Sequence, residues 1–436
     1  MPIIKNLRAR EILDSRGNPT VACEVELDDG THSMGFVPSG ASTGQNEALE
    51  LRDGDKNRYA GKGVLKAVEN VNTLIKEAIV GMDPLDLYTV DKAMIDLDGT
   101  PNKAKLGSNA MLSVSLSVAK AAAKSSRIPL YRFLAQFLNK RANKFIMPIC
   151  FFNILNGGKH AVGSTDFQEF MVVPVNFPNL RESVRVASEI YHALGNILKE
   201  RNYQPLVGDE GGFAPSLFSN EQAMELLMMA IKEANYNPGE DVFIALDPAA
   251  NRFYTEGIYQ LYRENQSYTT QQLIDFYVTW CEKYPIISIE DALSESDWDG
   301  WRDITQRLGE KVELIGDDLY ATNQVLLQKG IQYKSSTGIL IKPNQIGTLS
   351  ETLETIKLAE SAGYKIMISH RSGETEDDFI ADLSIACGCG AIKAGAPCRS
   401  ERTVKYNRLM EIEEKLGPEA EFATWDTTQN GGMGQL

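Results

Sequence analysis

Six apolar runs in the second half of the chain each end on a charged or ionisable residue: Phe243–Asp247, Ile286–Glu290, Glu313–Asp317, Gly338–Lys342, Lys365–His370 and Ala391–Lys393. The last five end at positions 290, 317, 342, 370 and 393, so they are separated by 27, 25, 28 and 23 residues. A strand plus its return helix takes about that much chain. The rhythm predicts a (β/α)8-type barrel, in which residues at the strand C-terminal ends meet in one pocket. Upstream, residues 1–30 alternate apolar and polar around the turn signal Asp14-Ser15-Arg16-Gly17-Asn18-Pro19, which predicts an antiparallel meander. Ser108–Ser125, rich in Ala, Leu and Val, predicts a buried helix, and the charged Lys140–Lys144 stretch reads as a link. The expected architecture is α/β, with an N-terminal α+β domain over 1–140 and a barrel over 141–436.

Composition sharpens this in few places. At 436 residues the chain exceeds one ordinary core. A net charge of −15 with no basic stripe argues against a nucleic-acid partner. Met1–Arg10 lacks the apolar core of a signal peptide, and the longest apolar stretch, Phe145–Leu155, contains Pro148 and Asn153 and is too short to span a bilayer. A cytoplasmic protein without a transmembrane segment is expected. The six cysteines form no Cys-x-x-Cys pair, which favours reduced thiols over a thiolate metal site.

The run ends carry the candidate chemistry. Asp247, Glu290 and Asp317 offer hard oxygen ligands without Cys or a nearby His, a set that suits Mg2+ better than Zn2+. Lys342 follows three apolar residues and so emerges from a buried strand; beside a cation and Lys393 its proton affinity should fall, making it a general base. His370-Arg371-Ser372-Gly373 offers a guanidinium and a hydroxyl for holding phosphate or carboxylate, with Lys393 as a second positive charge. An anionic substrate is implied. Glu210, in the Gly-flanked Gly208–Phe213 loop, is a candidate acid opposite the base, and Glu169 lies in Gln168-Glu169-Phe170. Neither the Ser39–Gly44 loop nor Gly61-Lys62-Gly63 has the form of a nucleotide P-loop.

These residues, with Asp14–Thr20, Pro38–Gly44, Leu49–Asp53, Asn156-Gly157-Gly158, Gly208–Pro215, Ser288–Asp291, Gly316–Leu319, Lys342–Gly347, Ser369–Asp377 and Lys405-Tyr406-Asn407, resemble the enolase family over essentially the whole chain. Enolase-superfamily sites pair a Lys or His base with one or two Mg2+ ions, and the resemblance brings that chemistry to Lys342. It implies a modified (β/α)8 barrel and a lyase interconverting 2-phosphoglycerate and phosphoenolpyruvate. By the same resemblance Asp247, Glu290 and Asp317 hold a first Mg2+, and Ser42 contributes to a second that arrives with substrate. Glu210 protonates the leaving hydroxyl with help from Glu169. His160, Gln168, His370, Arg371, Ser372 and Lys393 bind substrate, with Arg371 and Ser372 on phosphate and Lys393 on carboxylate. A homo-oligomer is implied as well, and a secondary cell-surface pool is an open alternative.

The chain departs from the family pattern at two places. Asn251-Arg252 stands where many members have Ser-Glu, and Ala22 and Glu411 stand where many have a Glu and an Arg that pair across a dimer. Other readings stay open at this level: a superfamily enzyme acting on a non-phosphorylated acid, a non-enzymatic role, or a paralogue that turns over poorly.

Overall fold

The computed structural model describes residues 2–41, 44–140, 144–426 and 432–433. Ser42 and the centre of the 140–144 link, where the expected domain boundary falls, lie outside the described residues, as does most of the Gly-rich tail.

Ile4–Leu13 (β1), Pro19–Leu27 (β2) and His32–Phe36 (β3) form the expected meander, in the order β1-β2-β3. Asp14 builds its first turn by accepting the backbone N–H groups of Arg16 and Asn18 at 2.8 and 2.9 Å. The sheet packs on helix Ser108–Ser125, nearly all of which is buried. Small side chains let the two backbones approach: a Cβ on Gly35 would lie 2.9 Å from Ser117 Oγ. That buried hydroxyl is satisfied locally, donating to Cys23 O and Ser113 O at 2.7 and 2.5 Å.

The rest of the chain closes a barrel of eight strands: Ile149–Asn156 (β4), Glu169–Pro174 (β5), Val242–Asp247 (β6), Ile286–Glu290 (β7), Glu313–Gly316 (β8), Gly338–Ile341 (β9), Lys365–Ser369 (β10) and Ala391–Lys393 (β11). Neighbours follow chain order around the ring. Strand β5 alone runs against its neighbours β4 and β6; the other barrel pairs are parallel. Its first residue, Glu169, therefore sits at the same rim as the last residues of the other strands. The barrel interior is filled by Ile149, Phe151, Met171, Val173, Ala245, Ile287, Ile315, Leu340, Met367 and Ala391, while alternate residues pack outward on the helices. Strands buried on both faces explain why the sequence shows continuous apolar runs here.

The N-terminal domain rests on this rim. Ser39 and Gly373 exchange backbone hydrogen bonds at 2.7 and 2.9 Å, Phe36 N–H donates to Asp377 at 2.9 Å, and Lys120 and Lys103 pair with Asp377 and Glu351 at 2.6 and 2.8 Å. No helix among the described residues is long and apolar enough to cross a membrane.

Candidate active site

Along a strand every second side chain faces the same way. Ala245, Ile315, Leu340 and Ala391 face the barrel core, so Asp247, Asp317, Lys342 and Lys393, each two residues on, face the space at its rim. Glu290 ends β7, and Glu169 begins β5 opposite Asp247 in register. All six side chains are buried or nearly so.

Lys393 gathers the acids on one side. Its Nζ donates to Glu290 Oε2 at 2.6 Å and Glu169 Oε2 at 3.0 Å and lies 3.7 Å from Asp247 Oδ2. Lys342 Nζ donates to Asp317 Oδ2, whose other oxygen accepts from Gln345 Nε2 at 2.8 Å. Gln168 Nε2 donates to Asp247 Oδ2 at 3.3 Å. Asp291, absent from the sequence-based set, accepts the backbone N–H groups of Asp317 and Asp318 at 2.9 and 3.0 Å and fixes that turn. Carboxylate oxygens of Asp291, Asp317 and Asp318 lie within 4.8 Å of one another.

A second cluster joins His160, Glu169 and Glu210. His160 Nδ1 is 3.7 Å from Glu169 Oε1 and 3.5 Å from Glu210 Oε1, and Asn153 of β4 donates to Glu210 Oε2 at 2.7 Å. The third group is the candidate anion clamp. Arg371 forks onto Glu47 at 2.9 and 3.1 Å and reaches Asn344 Oδ1 at 3.1 Å; Ser372 Oγ accepts Ala41 N–H at 2.6 Å. Ala41 is thus held to Ser372, and Ser42 lies outside the described residues.

Charge and burial set the protonation states. Burial first, then the charges of Asp247 and Glu210 respectively, push Glu290 and Glu169 up to about 8. Burial would also raise Glu210, but His160, His370 and Arg402 outweigh it and hold this carboxyl well below the usual range. Within the Glu169–Glu210 pair the proton therefore rests on Glu169. Burial likewise holds both histidines down to about 4, so their rings are neutral at neutral pH. The lowering expected for Lys342 belongs to an amine beside a bound cation, and the protein's own groups set a different balance. Burial does pull its proton affinity down, but Asp317 and Glu290 more than restore it, and the amine ends above the ordinary lysine value.

A family model for the enolase C-terminal TIM barrel domain matches residues 144–430, and one for the enolase N-terminal domain matches residues 4–134. This chain belongs to the enolase family. It is a lyase of that family by both domains, and the reversed strand explains why its enolase-type barrel departs from eight parallel strands. Enolase-family enzymes typically work with a metal, and the acids fit one: the donors are hard oxygens, and Glu290 Oε1 and Gln168 Oε1 are buried without a hydrogen-bond partner among the described residues.

Several residues of this enolase-family site escaped the reading of motifs. Glu47 sits in a loop far from Arg371 in sequence and gave no local signal. Asn153 lies inside an apolar strand, where a lone amide is a flag for a buried partner. Arg402 shares a helical stripe with Lys405, Tyr406, Leu409 and Ile412, a core face on which a buried guanidinium is conspicuous. Asn251, at one departure from the family pattern, donates to Asp318 at 3.0 Å and accepts Glu295 N–H at 2.8 Å; burial and then Asp318 push Glu295 up to about 7, with Arg252 opposing the rise. At the other departure Ala22 is buried in the meander, and Glu411 pairs within its own helix with Arg408 at 2.9 Å and with Lys415.

Proposed function

We propose that this chain reversibly dehydrates 2-phosphoglycerate to phosphoenolpyruvate and water. One observation carries the reading. In a closed ring of eight, strands four places apart face each other, so Lys342 at the end of β9 faces Glu169 at the start of β5 across the mouth. Elimination of water next to a carboxylate needs a base and an acid on opposite faces of the substrate, and this arrangement supplies them.

In this account Lys342, as the free amine, takes the proton beside the substrate carboxylate, and Lys393 holds that carboxylate. Arg371 and Ser372 take the phosphate, for which Arg371 exchanges part of its contact with Glu47. The proton that rests on Glu169 passes by way of Glu210 to the departing hydroxyl. His160, Gln168 and His370 bind and orient substrate and help to exclude water from the mouth. Asp247, Glu290 and Asp317 would hold Mg2+, which when bound would neutralise the charge building on the substrate carboxylate and depress the Lys342 proton affinity that the carboxylates raise. Two such ions are expected, the second with substrate.

Deuterium exchange at C2 separates the steps. Lys342→Ala abolishes exchange and turnover, whereas Glu210→Gln stops dehydration and leaves exchange detectable. Exchange that survives in Lys342→Ala would remove lysine from the role of base.

A further inference from the structure

Arg402 is fully buried in helix Ser400–Leu416, yet its guanidinium reaches two loops of the site. Nη1 contacts His370 Nδ1 at 2.6 Å and donates to Arg371 O at 2.5 Å; Nη2 donates to Asp209 O at 2.9 Å and Ser372 O at 2.5 Å. Three of these contacts fall on successive residues of the anion clamp, and the fourth on the residue next to Glu210. Gly395 makes room for the side chain, since a Cβ there would lie 2.7 Å from Arg402 Cδ.

Arginine has only donors, so His370 Nδ1 must be the acceptor and a neutral ring carries its single proton on Nε2. That nitrogen is buried, lies 3.5 Å from Glu210 Oε2 and has no hydrogen-bond partner among the described residues. Burial keeps the ring neutral, as its lowered proton affinity indicates.

We propose that Arg402 is a positioning residue that locks His370 in the Nε2–H tautomer facing Glu210 and clamps the proton-donor loop to the anion-binding loop. Its catalytic consequence rests on the dehydration proposed above, but the tautomer does not. Lysine is no substitute. A single ammonium cannot span His370, Asp209 and Ser372 as the planar fork does.

The test begins with the intact protein labelled with 15N-histidine. Four histidines give a small set of signals, and His370→Asn assigns the one of interest. The expected spectrum has a pyridine-type Nδ1 and a pyrrole-type, protonated Nε2; the reverse assignment overturns the proposal whatever the protein's activity. In Arg402→Lys the His370 ring becomes a tautomer mixture and kcat falls about 100-fold, the effect of roughly 1 Å of misplacement, while C2 exchange persists. Loss of exchange and turnover in equal measure, with the His370 signals unchanged, would make Arg402 merely structural and overturn the proposal. If the variant does not fold, the wild-type spectrum still decides the tautomer. Absence of any turnover in a wild type with the expected tautomer would sink the proposed reaction and not the assignment of Arg402.

Discussion

Gly395→Ala is the substitution with the most closely worked consequence. Gly395 has φ +86, and an added Cβ would sit 2.7 Å from Arg402 Cδ and 2.9 Å from Glu210 O. Neither neighbour gives way cheaply. Arg402 is held by its contacts to His370 and three carbonyls, and Glu210 O accepts Ala396 N–H at 3.0 Å. Relaxed contacts between carbon atoms lie near 3.5–4.0 Å, so something must move by roughly 1 Å. The left-handed backbone costs about 1–2 kcal/mol and the overpacking about 1–3 kcal/mol, a destabilisation of roughly 2–5 kcal/mol in all. The shift falls on the backbone of Glu210, the proposed proton donor, and 1 Å of misplacement at such a group costs about 100-fold in rate. Two assays check this on one preparation: a thermal melt, expected lower, and steady-state turnover of 2-phosphoglycerate, expected to lose kcat with C2 exchange retained. A lowered melt with unchanged kcat would refute the claim that Gly395 couples to the proton donor.

Other expectations are independent of that one. Burial raises Asp91, which accepts Ser350 N–H at 2.8 Å and the Ser115 hydroxyl at 3.0 Å, to about 6 from 3.8. The folded state then binds more protons than the unfolded one between about pH 4 and 6, so stability is present below that window and lost as pH rises through it, by roughly 3 kcal/mol. Asp91→Asn removes this slope: its melting temperature relative to wild type climbs between about pH 4 and 6, the span of the window, and a constant difference would contradict the assignment. Phe167 is fully buried among Phe170, Phe253, Phe276, Tyr277 and Trp280, with ring centroids 5.8–6.3 Å away; Phe167→Ala should cost about 3–5 kcal/mol by denaturant melt. Arg371→Lys gives up the fork onto Glu47, and a KM for 2-phosphoglycerate raised at least as much as kcat is lowered is expected; an unchanged KM would take the phosphate away from this residue.

The barrel was legible because its strands are buried on both faces and each ends in a polar residue, so the six run ends could be read directly and all fall at one rim. Helix Ser108–Ser125 was legible to the residue for a related reason: small, apolar and unbroken, it had to be inside. The direction of β5 was not. Alternation reports which face a side chain takes, not which way a strand runs, and Gln168-Glu169 reads the same in either sense. Partners supplied by distant loops were equally silent, as with Glu47 for Arg371 and Arg402 for His370. The proton affinity that the protein's own groups give Lys342 was not legible either. Sequence named the neighbouring cations but could not weigh them against Asp317, which the fold brings into direct contact with Lys342.

The central claim is tested most directly by following ultraviolet absorbance as the purified chain meets 2-phosphoglycerate, once with Mg2+ and once with excess chelator. The account predicts a rise from enol phosphate formation with Mg2+ that chelator abolishes. No rise with Mg2+ from a folded sample would contradict it.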